Sequence, residues 1–240
     1  MDACIEMDRM YRYQRHIYNL TRKYYLLGRD QLLDRMLLND DAQVLEVACG
    51  TGRNLSKLAR RHPRARLYGL DASAAMLQTA RAHLAAHAPA AKTVLAQGLA
   101  QDFSYASTFG LPRPFDIIFI SYGLSMIPEW RAAVDNALAN LASGGTLYIV
   151  DFWDQGGLPP WFRRLLVRWL NRFGVAHRQE LLEYLQALPC DGARPLRLTP
   201  VARRYAFIAE FAKPCAPARR DAPTVARLLS RAPHLAGSRV

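Results

Sequence analysis

The feature that most constrains this chain is an apolar run that breaks into a glycine turn. Residues 44–48 are apolar except for Glu46. Gly50 and Gly52 follow, and a helical pattern begins near Asn54. Glycine lets a chain turn sharply and lets a ligand approach the backbone, whereas an acid inside a buried strand is costly unless it has a task. A strand, a glycine turn and a helix N-terminus together predict a crevice for a nucleotide-type ligand.

The spacing of this turn differs from two well-known nucleotide sites. Its pattern is E-x-x-x-G-x-G, which is neither the dinucleotide fingerprint G-x-G-x-x-G nor a P-loop, because no Gly-Lys-Ser/Thr follows. A second predicted strand, residues 65–70, is followed by Asp71, nineteen residues beyond Gly52. An acid at that separation in a βαβ unit can accept hydrogen bonds from both ribose hydroxyls. The alternative, a strand–turn–helix of any other α/β protein, is weakened by the presence of both motifs.

The two motifs together resemble those of class I S-adenosylmethionine (SAM)-dependent methyltransferases. The resemblance implies an α/β fold, a Rossmann-like seven-stranded sheet with helices on both faces and an N-terminal helical lid. It implies SAM as cofactor, with the glycine turn beneath its methionine part. Residues 1–38 would be the lid, 39–213 the methyltransferase domain with a helical cap at 155–195, and 214–240 a basic, disordered tail. The SAM contacts implied in the domain are Glu46, Ala48, Gly50, Gly52, Asn54, Asp71, Ala72, Met76, Leu99, Ala100 and Ser121.

Two of these assignments leave alternatives open. Met76 lies one turn into the second predicted helix, where the family packs a residue on the adenine, but a core methionine fits equally well. Leu99 stands where many family members carry an acid for the adenine amino group. The backbone of Leu99 and Ala100 could bind the adenine edge, with Gln101 or Asp102 as substitute side chains. Those two side chains could equally be solvated loop residues.

The predicted fourth strand, residues 115–120, leads directly into Ser121 and Tyr122. Ligands of open α/β sheets bind beyond the carboxyl ends of the strands, so we expect both side chains near methyl transfer and treat both as candidate catalytic residues. Ser121 could instead simply end a strand. Phe152 and Trp153 are further candidates to line the site, because aromatic rings suit a sulfonium or a methylated ammonium.

The segment before the first strand is rich in tyrosine and basic residues. Residues 7–29 hold five tyrosines and six Lys or Arg residues, which an ordinary amphipathic helix would also explain. The resemblance implies a lid that supplies SAM with a Tyr hydroxyl and an Arg. Tyr18, Tyr24 and Arg29 are the candidates for SAM binding, and Tyr25 is a candidate catalytic residue. A guanidinium suits the SAM carboxylate because it can bind both oxygens at once.

A second informative stretch, residues 161–173, contains two Trp, two Phe and four Arg. Helical spacing predicts one broad apolar face, which is typical of a helix lying in a membrane interface. The alternative is a cap helix whose apolar face docks on the domain. Residues 204–211 alternate and predict an antiparallel last strand at the sheet edge. The positions on the predicted apolar face are 161, 162, 165, 166, 169, 170 and 173.

Composition bounds the partners and the compartment. The chain has 240 residues, of which 51% are hydrophobic, and suits one α/β domain with additions. A net charge of +12 favours anionic lipid, nucleic acid or an acidic protein as partner. The four cysteines form no C-x-x-C, so we expect no metal site, no disulfide framework and a reducing compartment. Without an eighteen-residue apolar run or a signal-peptide core, we expect a cytoplasmic protein, peripheral on the inner membrane face.

The N-terminal segment narrows the resemblance. Residues 7–18 and 21–30, with 44–54 and 121–128, are similar to bacterial methyltransferases of betaine-lipid synthesis, over roughly residues 7–155. This implies a lipid acceptor with an amine headgroup, diacylglyceryl-homoserine, converted to its N,N,N-trimethyl form at an anionic membrane surface. One alternative is another acceptor: phosphatidylethanolamine, a quinone or a small amine. A non-enzymatic nucleic-acid binder is disfavoured because no nucleic-acid-binding motif is recognisable. The sequence leaves the oligomeric state open.

Overall fold

The computed structural model describes residues 26–88, 92–172, 178–189 and 195–215. The predicted lid residues Tyr18, Tyr24 and Tyr25 lie outside these ranges, as does almost all of the predicted basic tail. The account of the fold and of the site below concerns the described residues.

A seven-stranded sheet organises the described part of the chain. Its spatial order is β3-β2-β1-β4-β5-β7-β6, with β1 to β5 parallel and β7 antiparallel to both of its neighbours. The predicted seven-stranded, Rossmann-like sheet is therefore confirmed. The strands are β1 (Gln43–Val47), β2 (Arg66–Asp71), β3 (Thr93–Gln97), β4 (Phe115–Ser121), β5 (Leu141–Phe152), β6 (Arg197–Val201) and β7 (Ala206–Ala212).

Helices cover both faces of this sheet. One apolar cluster contains Leu33, Leu55 and Leu77, and a second contains Val134 and Leu181. Cover on both faces explains why every residue of β1 is buried. None of the helices within the described ranges is long and apolar enough to cross a membrane. The helices in those ranges are α1 (Arg29–Arg35), α2 (Arg53–Arg61), α3 (Ala74–His87), α4 (Trp130–Ala139), α5 (Pro160–Arg172) and α6 (Gln179–Ala187).

The last strands depart from the prediction at the sheet edge. Residues 206–212 form the expected antiparallel strand, but it lies between β5 and β6, so the predicted edge position is wrong. Every residue of β7 is buried except Glu210, which is partly exposed. The carboxylate of Glu210 forms a 2.8 Å ion pair with Arg35 of α1. Near-continuous burial is typical of a strand covered on both faces. The edge is β6, whose Pro200 lacks a ladder donor, as an edge strand tolerates.

The parallel register brings the two sequence motifs together. Val47 is opposite Leu70 of β2 and Ile120 of β4. The carboxyl ends of these three central strands therefore lie side by side. Asp71 and Ser121 are fifty residues apart in sequence. They are the last residues of β2 and β4, the two strands that flank β1, so they lie at the same end of the sheet.

Candidate active site

The glycine turn is formed by backbone conformations that favour glycine. Gly50 and Gly52 have φ angles of 54° and 71°, in the left-handed region. A Cβ at Gly52 would lie 3.1 Å from the Cβ of Ala80 on α3, so a side chain there would require the turn or the helix to shift by a few tenths of an ångström. Ala48 also has a positive φ of 58°, which costs a non-glycine residue roughly 1 kcal/mol or more. The turn thus holds an unusual backbone path at the end of β1.

A cavity of about 710 Å³ lies at these strand ends, within the range of small-molecule sites. Within the described ranges, the structure brings together at its wall every residue predicted to bind SAM or to be catalytic except Gly52, which packs against α3. The predicted residues that line it are Arg29, Glu46, Ala48, Gly50, Asn54, Asp71, Ala72, Met76, Leu99, Ala100, Ser121 and Tyr122.

Glu46 is the buried acid of this cavity, with only 2% of its surface exposed. Its Oε1 accepts a 2.7 Å hydrogen bond from Nδ2 of Asn54. Its Oε2 is buried and has no hydrogen-bond partner among the described residues. Burial raises the pKa of Glu46 to about 8, while the Asn54 hydrogen bond and the charge of Arg29 oppose the rise. Oε2 is therefore a buried acceptor that a cationic or N–H-bearing ligand would satisfy.

Asp71 forms the second acidic contact of the cavity. Its Oδ2 accepts a 2.7 Å hydrogen bond from the backbone N–H of Gly50, and its Oδ1 accepts a 3.0 Å bond from the N–H of Ser73. These bonds fix the carboxylate between the glycine turn and the start of α3. Each carboxylate oxygen can accept a further bond, so two neighbouring hydroxyls of a ribose would fit. Together, Glu46, Gly50 and Asp71 form what we call the cofactor cradle.

The far end of the cavity is formed by the loop after β3 and by α3. The N–H of Gly98 donates to the carbonyl of Asp71 at 3.1 Å, which holds the loop against β2. Gln101 lines the cavity together with Leu99 and Ala100, whereas Asp102 is not among the lining residues. An adenine would therefore meet backbone groups and an amide side chain here. No acid lies at this position.

Sequence reasoning missed two lining residues on α3. Thr79 and His83 line the cavity with Met76; the three are spaced i, i+3 and i+7 and so share one helix face. Burial, together with the charges of His87 and Arg60, lowers the pKa of His83, which favours the neutral ring. Within the described ranges, no group of three or more His, Cys, Asp or Glu side chains is placed to hold a metal ion.

The end of β4 places Ser121 and Tyr122 differently. Ser121 lines the cavity, and its buried Oγ has no hydrogen-bond partner in the described part of the chain. Tyr122 has a φ of 56°, and its hydroxyl donates a 2.5 Å hydrogen bond to the carbonyl of Leu27. Burial raises the pKa of Tyr122 well above its usual value. The Tyr122 hydroxyl therefore joins β4 to the segment before α1. Its predicted catalytic role stays a prediction.

The two other predicted aromatic residues do not line the cavity. Phe152 packs edge-on against the ring of Tyr122, with 4.7 Å between centroids, and Trp153 packs against Phe207 at 6.3 Å. The expectation that Phe152 and Trp153 line the methyl-transfer site is therefore wrong. Both side chains instead contact aromatic rings of neighbouring strands.

The start of α1 forms one rim of the cavity. Arg29 lines the cavity, and its neighbour Asp30 forms ion pairs of 2.9 Å with Arg53 and 2.8 Å with Lys57 of α2. Partial burial raises the pKa of Asp30, but the Lys57 hydrogen bond and the Arg53 charge outweigh it, so the pKa is lowered overall. These pairs hold α1 beside the glycine turn. The charge of Arg29 acts on Glu46 and lowers its pKa.

Helix α5 does not present one apolar face to one environment. Leu170 is buried, and Leu166 and Trp169 pack against the core. Trp161 and Leu165 are 70% and 60% exposed. The broad face predicted from periodicity is thus divided between the core and solvent, because the helix docks through its second half only. Arg163, Arg164 and Arg168 are exposed on the same helix.

Comparison with known proteins agrees with this geometry. Residues 44–145 match the family described as Methyltransferase domain. The described structure resembles a chain of the Haloferax volcanii complex between the Trm112 methyltransferase activator and a methyltransferase. The TM-score is 0.66 at 14% identity, over 88% of this chain and 98% of that one. The family match covers less than half of the chain; together with the fold it identifies residues 44–145 as a SAM-dependent methyltransferase domain and implies SAM as the methyl donor.

The chain is also similar in sequence to two curated methyltransferases. Over 119 residues, the chain is 35% identical to a trans-aconitate 2-methyltransferase of Delftia acidovorans, covering 50% of this chain and 41% of that protein. Over 143 residues, it is 28% identical to a demethylmenaquinone methyltransferase of Thermus thermophilus, covering 56% and 60%. The chain thus aligns with less than two thirds of either relative.

Proposed function

We propose that this chain transfers a methyl group from SAM to an acceptor that arrives ready to attack, foremost a carboxylate of a small organic acid. The observation that supports this is how the ionisable groups of the cavity are used. Glu46 and Asp71 belong to the cofactor cradle, and the Tyr122 hydroxyl donates its hydrogen bond to the carbonyl of Leu27. His83 also lines the cavity, but it lies on α3 beside Gly52. Among described residues at the β4 end of the cavity, only the exposed rim residue Glu129 could remove a proton. A carboxylate attacks without losing a proton, so it needs no such base.

The residues present fit SAM. Asp71 would accept the ribose hydroxyls, and Oε2 of Glu46 would accept a hydrogen bond from the ammonium of the methionine part. Arg29 would bind the carboxylate of that part. SAM supplies an electrophilic methyl group on a sulfonium. The contribution of the protein is then mainly to position the acceptor in line with that methyl and to exclude water.

The comparisons support the choice of acceptor. The similar proteins from several bacteria that are named trans-aconitate 2-methyltransferase carry a small acid in their name. A net charge of +12 would also favour the approach of a multiply charged acid.

The test is to incubate the full chain with SAM and trans-aconitate, or a panel of other di- and tricarboxylates, and to weigh the products. We expect a mass gain of one methyl group that alkali removes as methanol, because a methyl ester is hydrolysed by base. Asp71→Asn, which weakens the ribose contact, should lower the yield. Intact SAM binding by calorimetry without any ester from the panel would reject the carboxylate acceptor and keep the cofactor.

A second candidate is the amine headgroup of a membrane lipid such as diacylglyceryl-homoserine. It is favoured by α5, where Trp161 and Leu165 are exposed beside Arg163, Arg164 and Arg168, a pattern suited to a membrane interface. At about 1 kcal/mol for each basic residue near an anionic surface, three arginines would support reversible attachment. A neutral amine also attacks without a base. The test is to incubate the chain with this lipid in anionic vesicles and SAM carrying a labelled methyl group. A labelled headgroup whose methyl group alkali does not release as methanol would favour the lipid amine over the acid.

A further inference from the structure

The loop after β4 is held by an arginine side chain that lies outside the cavity. We call residues 121–129 the acceptor loop, because its Met126 and Ile127 line the cavity beyond Ser121. Arg178, the N-cap residue of α6, donates from Nε to the carbonyl of Leu124 at 3.2 Å and from Nη2 to the carbonyl of Ile127 at 2.8 Å. One planar guanidinium thus bridges two carbonyls three residues apart.

The same loop is held from the sheet side by a buried acid. Asp151 at the end of β5 is 1% exposed. Its Oδ2 accepts a 3.0 Å hydrogen bond from the N–H of Ser125, and its Oδ1 accepts a 2.8 Å bond from the N–H of Phe152. The acceptor loop therefore lies between a buried acceptor and a cationic donor, both of which contact its backbone. The side chains of Met126 and Ile127 remain available to the cavity.

We propose that Arg178 is a positioning residue for the methyl acceptor: it sets the backbone of the acceptor loop and so the wall against which the acceptor lies. This inference rests on the proposed methyl transfer. Arg178 is not among the residues that line the cavity, so it acts through the carbonyls of Leu124 and Ile127. Its loss would alter acceptor binding and leave the cofactor cradle, at the ends of β1 and β2, unchanged.

Helix α6 has other anchors, so variants at Arg178 should fold. Leu181 and Leu185 are buried, and the ring of Tyr184 packs edge-on against Trp130 with 5.5 Å between centroids. The exposed pair between Arg131 of α4 and Glu180 of α6 measures 2.8 Å. Arg131→Gln thus gives a matched control, since it also removes an arginine contact of α6 without touching the acceptor loop carbonyls.

The first arm of the test measures kinetics with trans-aconitate and SAM for Arg178→Gln, Arg178→Lys and Arg131→Gln. Loss of two hydrogen bonds to backbone carbonyls should raise the acceptor KM of Arg178→Gln roughly tenfold or more. Its dissociation constant for SAM should stay within about twofold of wild type. Arg178→Lys should be intermediate, because an ammonium is not a planar fork. A parallel loss of SAM affinity, or an equal effect of Arg131→Gln, would overturn the proposal.

The second arm needs no turnover. Hydrogen exchange of the peptide containing residues 121–129 is measured in the full-length wild type and in both Gln variants. We expect exchange at least about fivefold faster in Arg178→Gln only, because the loop opens more often. Unchanged exchange in Arg178→Gln would overturn the proposal. If no acid is methylated by wild type, the proposed acceptor fails, and this arm still decides whether Arg178 holds the loop.

Discussion

The buried carboxyl group of Glu46 should make SAM binding release a proton. Burial raises its pKa to about 8, against the opposing hydrogen bond from Asn54. At pH 7, one unit lower, about ten molecules carry the proton for every one that is ionised. The ammonium of the methionine part of SAM, beside Oε2, would favour the ionised carboxylate. Binding at pH 7 should then release about 0.9 proton from this site.

The direction of the pH effect follows from the raised pKa of Glu46. Below pH about 8, and above the pKa that Glu46 has in the complex, the ligand-free protein holds a proton that it must lose to bind SAM. Affinity should therefore rise with pH, by about tenfold per unit in the middle of that window. The stability of the ligand-free fold has the opposite sign. The folded state binds more protons than the unfolded state, so this contribution is present at low pH and is lost as pH rises through about 8.

Calorimetric titration of SAM at pH 7 in phosphate and in Tris measures the released proton, because the two buffers take it up with different heats. Glu46→Gln is the matched control, since the neutral amide keeps the shape of the side chain and can still accept from Asn54. We expect it to release no proton from this site and to bind SAM with nearly constant affinity from pH 6 to 8. The amine of free SAM is already mostly protonated at pH 7, because an α-amino group has an ordinary pKa of about 8, so it adds little to the difference between the two proteins. Equal proton release by wild type and variant would refute the reasoning.

Three further predictions concern the framework of the site. Tyr122→Phe removes the hydroxyl that donates to Leu27, so we expect about 1 kcal/mol less unfolding free energy and nearly unchanged turnover; a hundredfold fall in turnover would instead support a catalytic role. Gly52→Ala should cost about 1–3 kcal/mol in urea unfolding because of its positive φ and the close Ala80 Cβ, and adding Ala80→Gly should recover only the contact part. Burial raises the pKa of Asp151 to about 6, so its contribution to the unfolding free energy is present at low pH and is lost as pH rises through about 6. Asp151→Asn should therefore make the unfolding free energy depend less on pH between pH 4 and 7. An unchanged slope of unfolding free energy against pH would count against this.

The arrangement of the cradle residues could be predicted from the sequence because its signals are local. Glu46, Gly50 and Asp71 occur in two strand–turn–helix units, each encoded by about twenty residues. One general rule, that the carboxyl ends of parallel strands share a sheet edge, is enough to bring them together. The structure agrees, with Gly50 donating directly to the carboxylate of Asp71 at 2.7 Å.

The rest of the site depends on contacts between distant parts of the chain. The hydrogen bond between Tyr122 and Leu27 joins residues 95 positions apart, and no local pattern encodes it. Periodicity identified an amphipathic α5, but it could not indicate that Leu170 would be buried while Trp161 and Leu165 remain exposed. Thr79 and His83 could have been found from their spacing with Met76 on one face of α3, had that face been assigned to the cavity.

The family match includes the residues of the cofactor cradle but not the residues that hold the acceptor loop. Residues 44–145 contain the whole cofactor cradle and the acceptor loop itself. Asp151 and Arg178, which hold that loop, lie beyond this range, and Arg29 lies before it. Similarity over such a range therefore supports the methyl donor more directly than the acceptor. Changes in acceptor preference should accordingly arise from substitutions between β5 and α6, with SAM affinity preserved, whereas substitutions in the cradle should weaken SAM binding for every acceptor.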